Sequence, residues 1–181
     1  MKYKRIKFNI IENQMGVAAL EFALVMPILL ALYLGLVASS QAMSTYRKLT
    51  DATVEAANVA SQYTTMSNGD PSLILGATSQ IMTPLSTTPL SGVLSLVSTD
   101  ANNDATVKWS CGYNGGKPLT ANTSFALNSN VKQPNTSYFV VQMSYDYKPI
   151  AGQGIFPSTT MNSQSISLPR LSQTVPLTGT C

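Results

Sequence analysis

Apolar side chains fill one unbroken run near the start of the chain and thin into spaced positions after it. From Val17 to Ala38 the sequence reads VAALEFALVMPILLALYLGLVA, 22 residues with a single charge, Glu21. At about 1.5 Å rise per residue, a helix over that run is roughly 33 Å long and can cross a hydrocarbon layer of about 30 Å. A buried core helix is a poor rival, because nothing else in the chain is apolar enough to surround it.

Past Ala38 the helical pattern continues in a different form. Residues 39–63 contain neither Gly nor Pro, and Ala42, Tyr46, Leu49, Thr53, Ala56, Ala60 and Tyr63 recur at three- and four-residue steps. This predicts an amphipathic extension over 39–66, whose stripe of mostly small residues covers a sheet or packs on neighbouring helices. Asn68-Gly69 is expected to end it. Asp70-Pro71 reads as an N-cap with proline in the first turn of a short helix to about Met82, a loop or strand being the alternatives.

Period-two patterns follow a Pro/Ser/Thr-rich connector at 83–91. Strands are expected at Val93–Ser98, Ala105–Cys111, Tyr138–Lys148 and Gln164–Leu168, with room for a tail strand after Arg170. In the clearest of them Phe139, Val141, Met143, Tyr145 and Tyr147 share one face, and Val140, Gln142, Ser144 and Asp146 share the other. Asp100–Asp104 looks like a hairpin turn, and 112–137 like a long loop. The chain therefore divides into a leading segment 1–16, a helix 17–66 (17–38 apolar, 39–66 amphipathic) and a β-rich head 67–181.

Composition sharpens this picture. Charged residues are 10% of the 181, against roughly 25% in an ordinary soluble domain. Polar uncharged residues take their place, which suits an extracytoplasmic or filament-packed surface. The net charge of +3 is local: Lys2, Lys4, Arg5 and Lys7 face Glu12 ahead of the apolar run, and from Val17 onward seven basic residues balance seven acidic ones. The basic balance thus implies no nucleic-acid partner. Positive charge ahead of the span places the N-terminus in the cytoplasm and the head outside.

Several chemistries are poorly supplied. The chain has no histidine, which removes the commonest general base and metal ligand. Gly112-Tyr113-Asn114-Gly115-Gly116-Lys117-Pro118 is one residue short of a phosphate-binding loop and carries Pro where a hydroxyl must bind magnesium. Asp100, Asn102 and Asp104 imitate the start of a calcium loop, but Cys111 stands where the bidentate Glu belongs. The serines have no visible activator. No catalytic residue, metal or cofactor is expected. Cys111 and Cys181 both follow the apolar run; in an oxidising compartment they form a disulfide, and otherwise they are two unrelated buried thiols.

The segment that carries most meaning is Gly16-Val17-Ala18-Ala19-Leu20-Glu21-Phe22: a glycine after a basic leader, then an apolar stretch with one glutamate five residues on. Extended as GVAALEFALVMPILLALYLG, it resembles the TadE/TadG-like pseudopilins of the tight-adherence (Tad, Flp) pilus systems, most strongly from Gly16 to about Ala60. Tyr145-Asp146-Tyr147-Lys148-Pro149 is similar, more weakly, to a strand ending in the heads of that group. The resemblance implies a pilin-like α+β fold, a long N-terminal helix packed on a small antiparallel sheet. It implies cleavage between Gly16 and Val17 by a prepilin peptidase, and pairing of Glu21 with the freed N-terminal amine of a neighbouring subunit. The implied partners are that peptidase, other pilins and pseudopilins, an inner-membrane assembly platform and the bilayer.

Physical chemistry supports a role for Glu21. A carboxylate at mid-bilayer costs on the order of 3 kcal/mol, and even near the cytoplasmic end the cost needs a reason. Pro27 frees the carbonyl of Ala23, so it either kinks the helix or is accommodated as membrane-helix prolines often are. Two further readings stand beside the pseudopilin. One is a secreted binding protein with an ordinary signal peptide cut near Ala42, against which an apolar run longer than about 7–15 residues argues. The other is a membrane-anchored hydrolase, which lacks any catalytic cluster.

Overall fold

The computed structural model describes residues 14–149 and 157–181; the basic residues of the expected leader lie outside them. One helix, α1 (Gln14–Ala60, 47 residues), dominates the chain. At about 1.5 Å per residue it is roughly 70 Å long. Pro27 lies inside it, and the helix runs on through that position.

The head is built around four antiparallel strands, β2 (Leu90–Thr99), β3 (Ala105–Tyr113), β4 (Ser137–Tyr147) and β5 (Thr159–Ser167), in the spatial order β3-β2-β4-β5. All four expected strands are present; three are longer than their apolar alternation suggested, and Ser137–Tyr147 keeps the expected length one residue earlier. Lys108 is the extra residue of a bulge where β3 pairs with Leu96 and Val97 of β2. The turn at 100–104 is closed by Asp100, whose Oδ1 accepts the backbone N–H groups of Asn102 and Asp104, each at 2.8 Å. That bonding accounts for the calcium-like spacing as turn chemistry.

α1 packs across β4 and β5, while α2 (Asp70–Ser79), extended by a 3₁₀ turn at Gln80–Met82, lies against β2 and β3. Between them lies the main core: Leu49, Ala52, Ala56 and Ala60 from the helix, and Phe139, Val141, Met143, Tyr145 and Tyr147 from β4. The expected face of β4 is the face that meets the helix. Small residues on α1 let its backbone approach the sheet, so the aromatic side chains of β4 fill the layer between. Tyr46, expected in the stripe, is instead exposed, and Ala52 and Ala57 are buried in its place. A second, smaller core lies on the other face of the sheet, where Val97, Val107, Tyr138 and Val140 are covered by Leu119, Phe125 and Leu127 from the long loop.

The helix ends earlier than expected. It stops at Ala60 rather than near 66, and Gln62 and Tyr63 tighten the last turn by donating to the carbonyls of Val59 and Ala60. Strand pairing outcompetes further helix here: Met66–Ser67 (β1) pairs in parallel with Leu177–Thr178 (β6), and Met66 is buried. Gly69 consequently precedes α2 and does not follow α1. Asp70 is the first residue of α2, and its carboxylate accepts the N–H and the hydroxyl of Ser67, at 2.7 and 2.8 Å.

Candidate functional site

The residues singled out from the sequence fall into two groups that the fold keeps apart. Gly16, Val17, Glu21 and Pro27 share the first part of α1, where every residue from Gly16 to Tyr33 is exposed. This exposure is all round the helix and includes Val17, Leu20, Phe22, Leu24, Ile28, Leu32 and Tyr33. A helix apolar on all faces needs an apolar surrounding, and the head does not supply one. Among the described residues this is the one helix long and apolar enough to cross a membrane. A Cβ added at Gly16 would meet nothing within 4 Å. Packing among the described residues therefore does not require glycine there.

Cys111 and Cys181 lie in the head and are bonded to each other, with a Cα separation of 5.4 Å. Trp109, two residues before the bridge on β3, donates its indole N–H to the carbonyl of Val175 at 2.8 Å and stands edge-on to Phe139, with ring centroids 6.0 Å apart. The tail is thus held from both sides.

The base of the head, where α1 emerges, brings the end of β4 against helix and connector groups that the pattern of the sequence did not single out. Gln41, Ser44, Thr45 and Lys48 on the helix, Pro84 and Leu85 on the connector, and Tyr145, Tyr147 and Lys148 at the end of β4 line a cavity of about 320 Å³. Tyr145 and Tyr147 are buried. Burial first, and the neighbouring Tyr147 second, push the Tyr145 phenol above its ordinary value, which keeps it a proton donor. Among the described residues no group of His, Cys, Asp and Glu could hold a metal ion.

The geometry defines a class first: a protein with one apolar helix able to cross a membrane and a disulfide-tied α+β head. Within that class, residues 16–58 match the family model described as TadE-like protein, so the similarity to that family lies in this helix. The match begins at Gly16 and stops before the sheet. No curated protein and no solved structure matches the chain.

Proposed function

We propose that this chain is a minor pseudopilin of a Tad-type pilus. It inserts in the inner membrane with its head in the periplasm, loses residues 1–16 by cleavage between Gly16 and Val17, and takes part in pilus biogenesis or priming through α1. The observation that supports this best is the fully exposed apolar stretch from Gly16 to Tyr33 with one carboxylate, Glu21, among its apolar residues. Such a surface demands lipid on insertion and other apolar helices on assembly. There Glu21 is neutralised by the N-terminal amine of a neighbour, which fixes the stagger between subunits.

The test is the N-terminal residue of the mature protein, read by mass spectrometry from membranes of the native host. A chain beginning at Val17 is expected. A bulky or charged residue at Gly16 should leave the 181-residue precursor in the membrane. A mature N-terminus near Ala42 would overturn the proposal in favour of a secreted binding protein with an ordinary signal peptide.

A further inference from the structure

The cavity at the base of the head has three properties that an incidental gap between helix and sheet does not need. Two residues that line it carry a polar atom, the Oε1 of Gln41 and the phenol oxygen of Tyr147, that is buried without a hydrogen-bond partner among the described residues. Tyr147 is 5% exposed. An orphaned buried polar atom costs about 1–3 kcal/mol, so two on one cavity mark a place where a partner is expected. Next, two cations, Lys48 and Lys148, line the same cavity, and among the described residues no carboxylate does. Lys48 is half-buried and uses one of its three donors on the carbonyl of Thr83, leaving the others available.

Height above the membrane is the remaining property. Gln41 lies three residues past Ala38, about 4.5 Å further along the helix, and Lys48 about 15 Å. The headgroup layer beyond the hydrocarbon is roughly 5–8 Å thick. Helical side chains tilt toward the N-terminus, here toward the membrane, which brings the Lys48 side chain closer to that layer.

From these observations we infer that the cavity lined by Gln41, Lys48, Tyr147 and Lys148 binds a glycerol-phosphate group, supplied by an anionic phospholipid of the outer leaflet. Phosphate oxygens accept from the two ammonium groups, and small side-chain turns bring the Tyr147 phenol to the phosphate and Gln41 Oε1 to a headgroup hydroxyl. A choline headgroup cannot do this: it carries the phosphate but lacks the hydroxyl and adds a cation beside two lysines. A lipid bound here fixes the height and rotation of the head on the membrane before the helix is drawn out, and leaving the membrane requires releasing it. The inference rests on the reading of 17–38 as the membrane span.

The experiment uses the full chain in detergent, incubated with dioleoyl phosphatidylglycerol or dioleoyl phosphatidylcholine and read by native mass spectrometry. One phosphatidylglycerol per chain is expected, retained about tenfold better than phosphatidylcholine, as one or two charge-assisted hydrogen bonds imply. Tyr147→Phe, which keeps the ring, and the pair Lys48→Gln with Lys148→Gln should each lower retention about tenfold, while Lys108→Gln with Lys132→Gln leaves it unchanged. Soluble glycerol 1-phosphate, added as competitor, separates the sources. Displacement only at high excess supports the lipid; displacement at equal concentration keeps the phosphate site but assigns it to a soluble anion. Equal retention of both lipids, or no loss in Tyr147→Phe and in the lysine pair, overturns the inference. Flotation of the same preparation with vesicles tests the span separately, so flotation without headgroup selectivity rejects the site and leaves the membrane reading standing.

Discussion

The indole of Trp109 and the carbonyl of Val175 are joined by a 2.8 Å hydrogen bond, two residues from the cysteine that anchors the end of the same tail. The bond and the bridge act on one segment by different means. The bridge closes a loop with a sequence separation of 70, worth roughly 4 kcal/mol in the chain-entropy account. The Trp109 bond satisfies a buried donor, and its loss costs about 1–3 kcal/mol. Cys181→Ser should therefore destabilise the head more than reshaping the tail alone would, and reductant should reproduce the effect on the wild type. Urea unfolding of the full chain in detergent, followed by Trp109 fluorescence with and without reductant, measures this. Identical midpoints under the two conditions would show that the bridge contributes nothing.

Glu21 makes a prediction about assembly. Replacing it with Val removes a charge from the apolar run, so membrane insertion should be unchanged or improved. Pilus assembly should fail, because the neighbour's amine loses its counter-charge in a water-poor bundle. Electron microscopy of a Glu21→Val strain, alongside membrane fractionation, provides the measurement. Normal pili on that strain would reject the pairing.

Two glycines set a close backbone approach. A Cβ at Gly112 would collide with the carbonyl oxygen of Gly116, and one at Gly116 with that of Gly92. These atoms are main chain, so neither can yield cheaply. Gly112→Ala and Gly116→Ala should each lower stability by about 1–3 kcal/mol, as overpacking does, while Gly69→Ala, with open space around it, should stay within about 0.5 kcal/mol. Thermal unfolding of the three variants separates these outcomes.

Tyr145 links stability to alkaline pH. Its phenol titrates above the ordinary 10.0, by burial and then by Tyr147. The folded chain therefore holds this proton at pH values where the unfolded chain has released it. Below pH 10 the contribution is fully present, and it is lost as pH climbs from 10 through the folded value. Unfolding free energy measured from pH 9 to 11 should fall more steeply for the wild type than for Tyr145→Phe. Equal slopes would mean that Tyr145 titrates as it does in the unfolded chain.

Much of the architecture could be read from side-chain order, and the parts that could not share a cause. The apolar run Val17–Ala38 and the alternation from Phe139 to Tyr147 are strong because one environment selects every position in each. Ala52 and Ala57 were missed because alanine is compatible with either side of a helix, and only the rotation of α1 on β4 decides which alanines are covered. Tyr46 departs from the stripe for the same reason: its spacing suits a core position, and the sheet leaves the ring outside. The early end of the helix depends on Met66 finding Leu177, more than a hundred residues away, a contact no local pattern encodes. The cavity at the base of the head has the same character. Gln41 and Lys48 carry no signal in their own neighbourhoods and Tyr147 reads only as a strand residue, so the cavity arises from the convergence of α1 with the end of β4.

The bridge from Cys111 to Cys181 also governs how the head behaves under tension. It makes a covalent ring of residues 111–181, and that ring contains β4 and β5, the two strands against which α1 packs. A pull through α1 passes first to residues 61–110, which lie outside the ring. When non-covalent contacts give way, those residues alone can pay out, about 50 of them, or roughly 165 Å at full extension. Residues inside the ring add no length beyond its own width, so the head has a fixed limit of stretch set by one sulfur–sulfur bond.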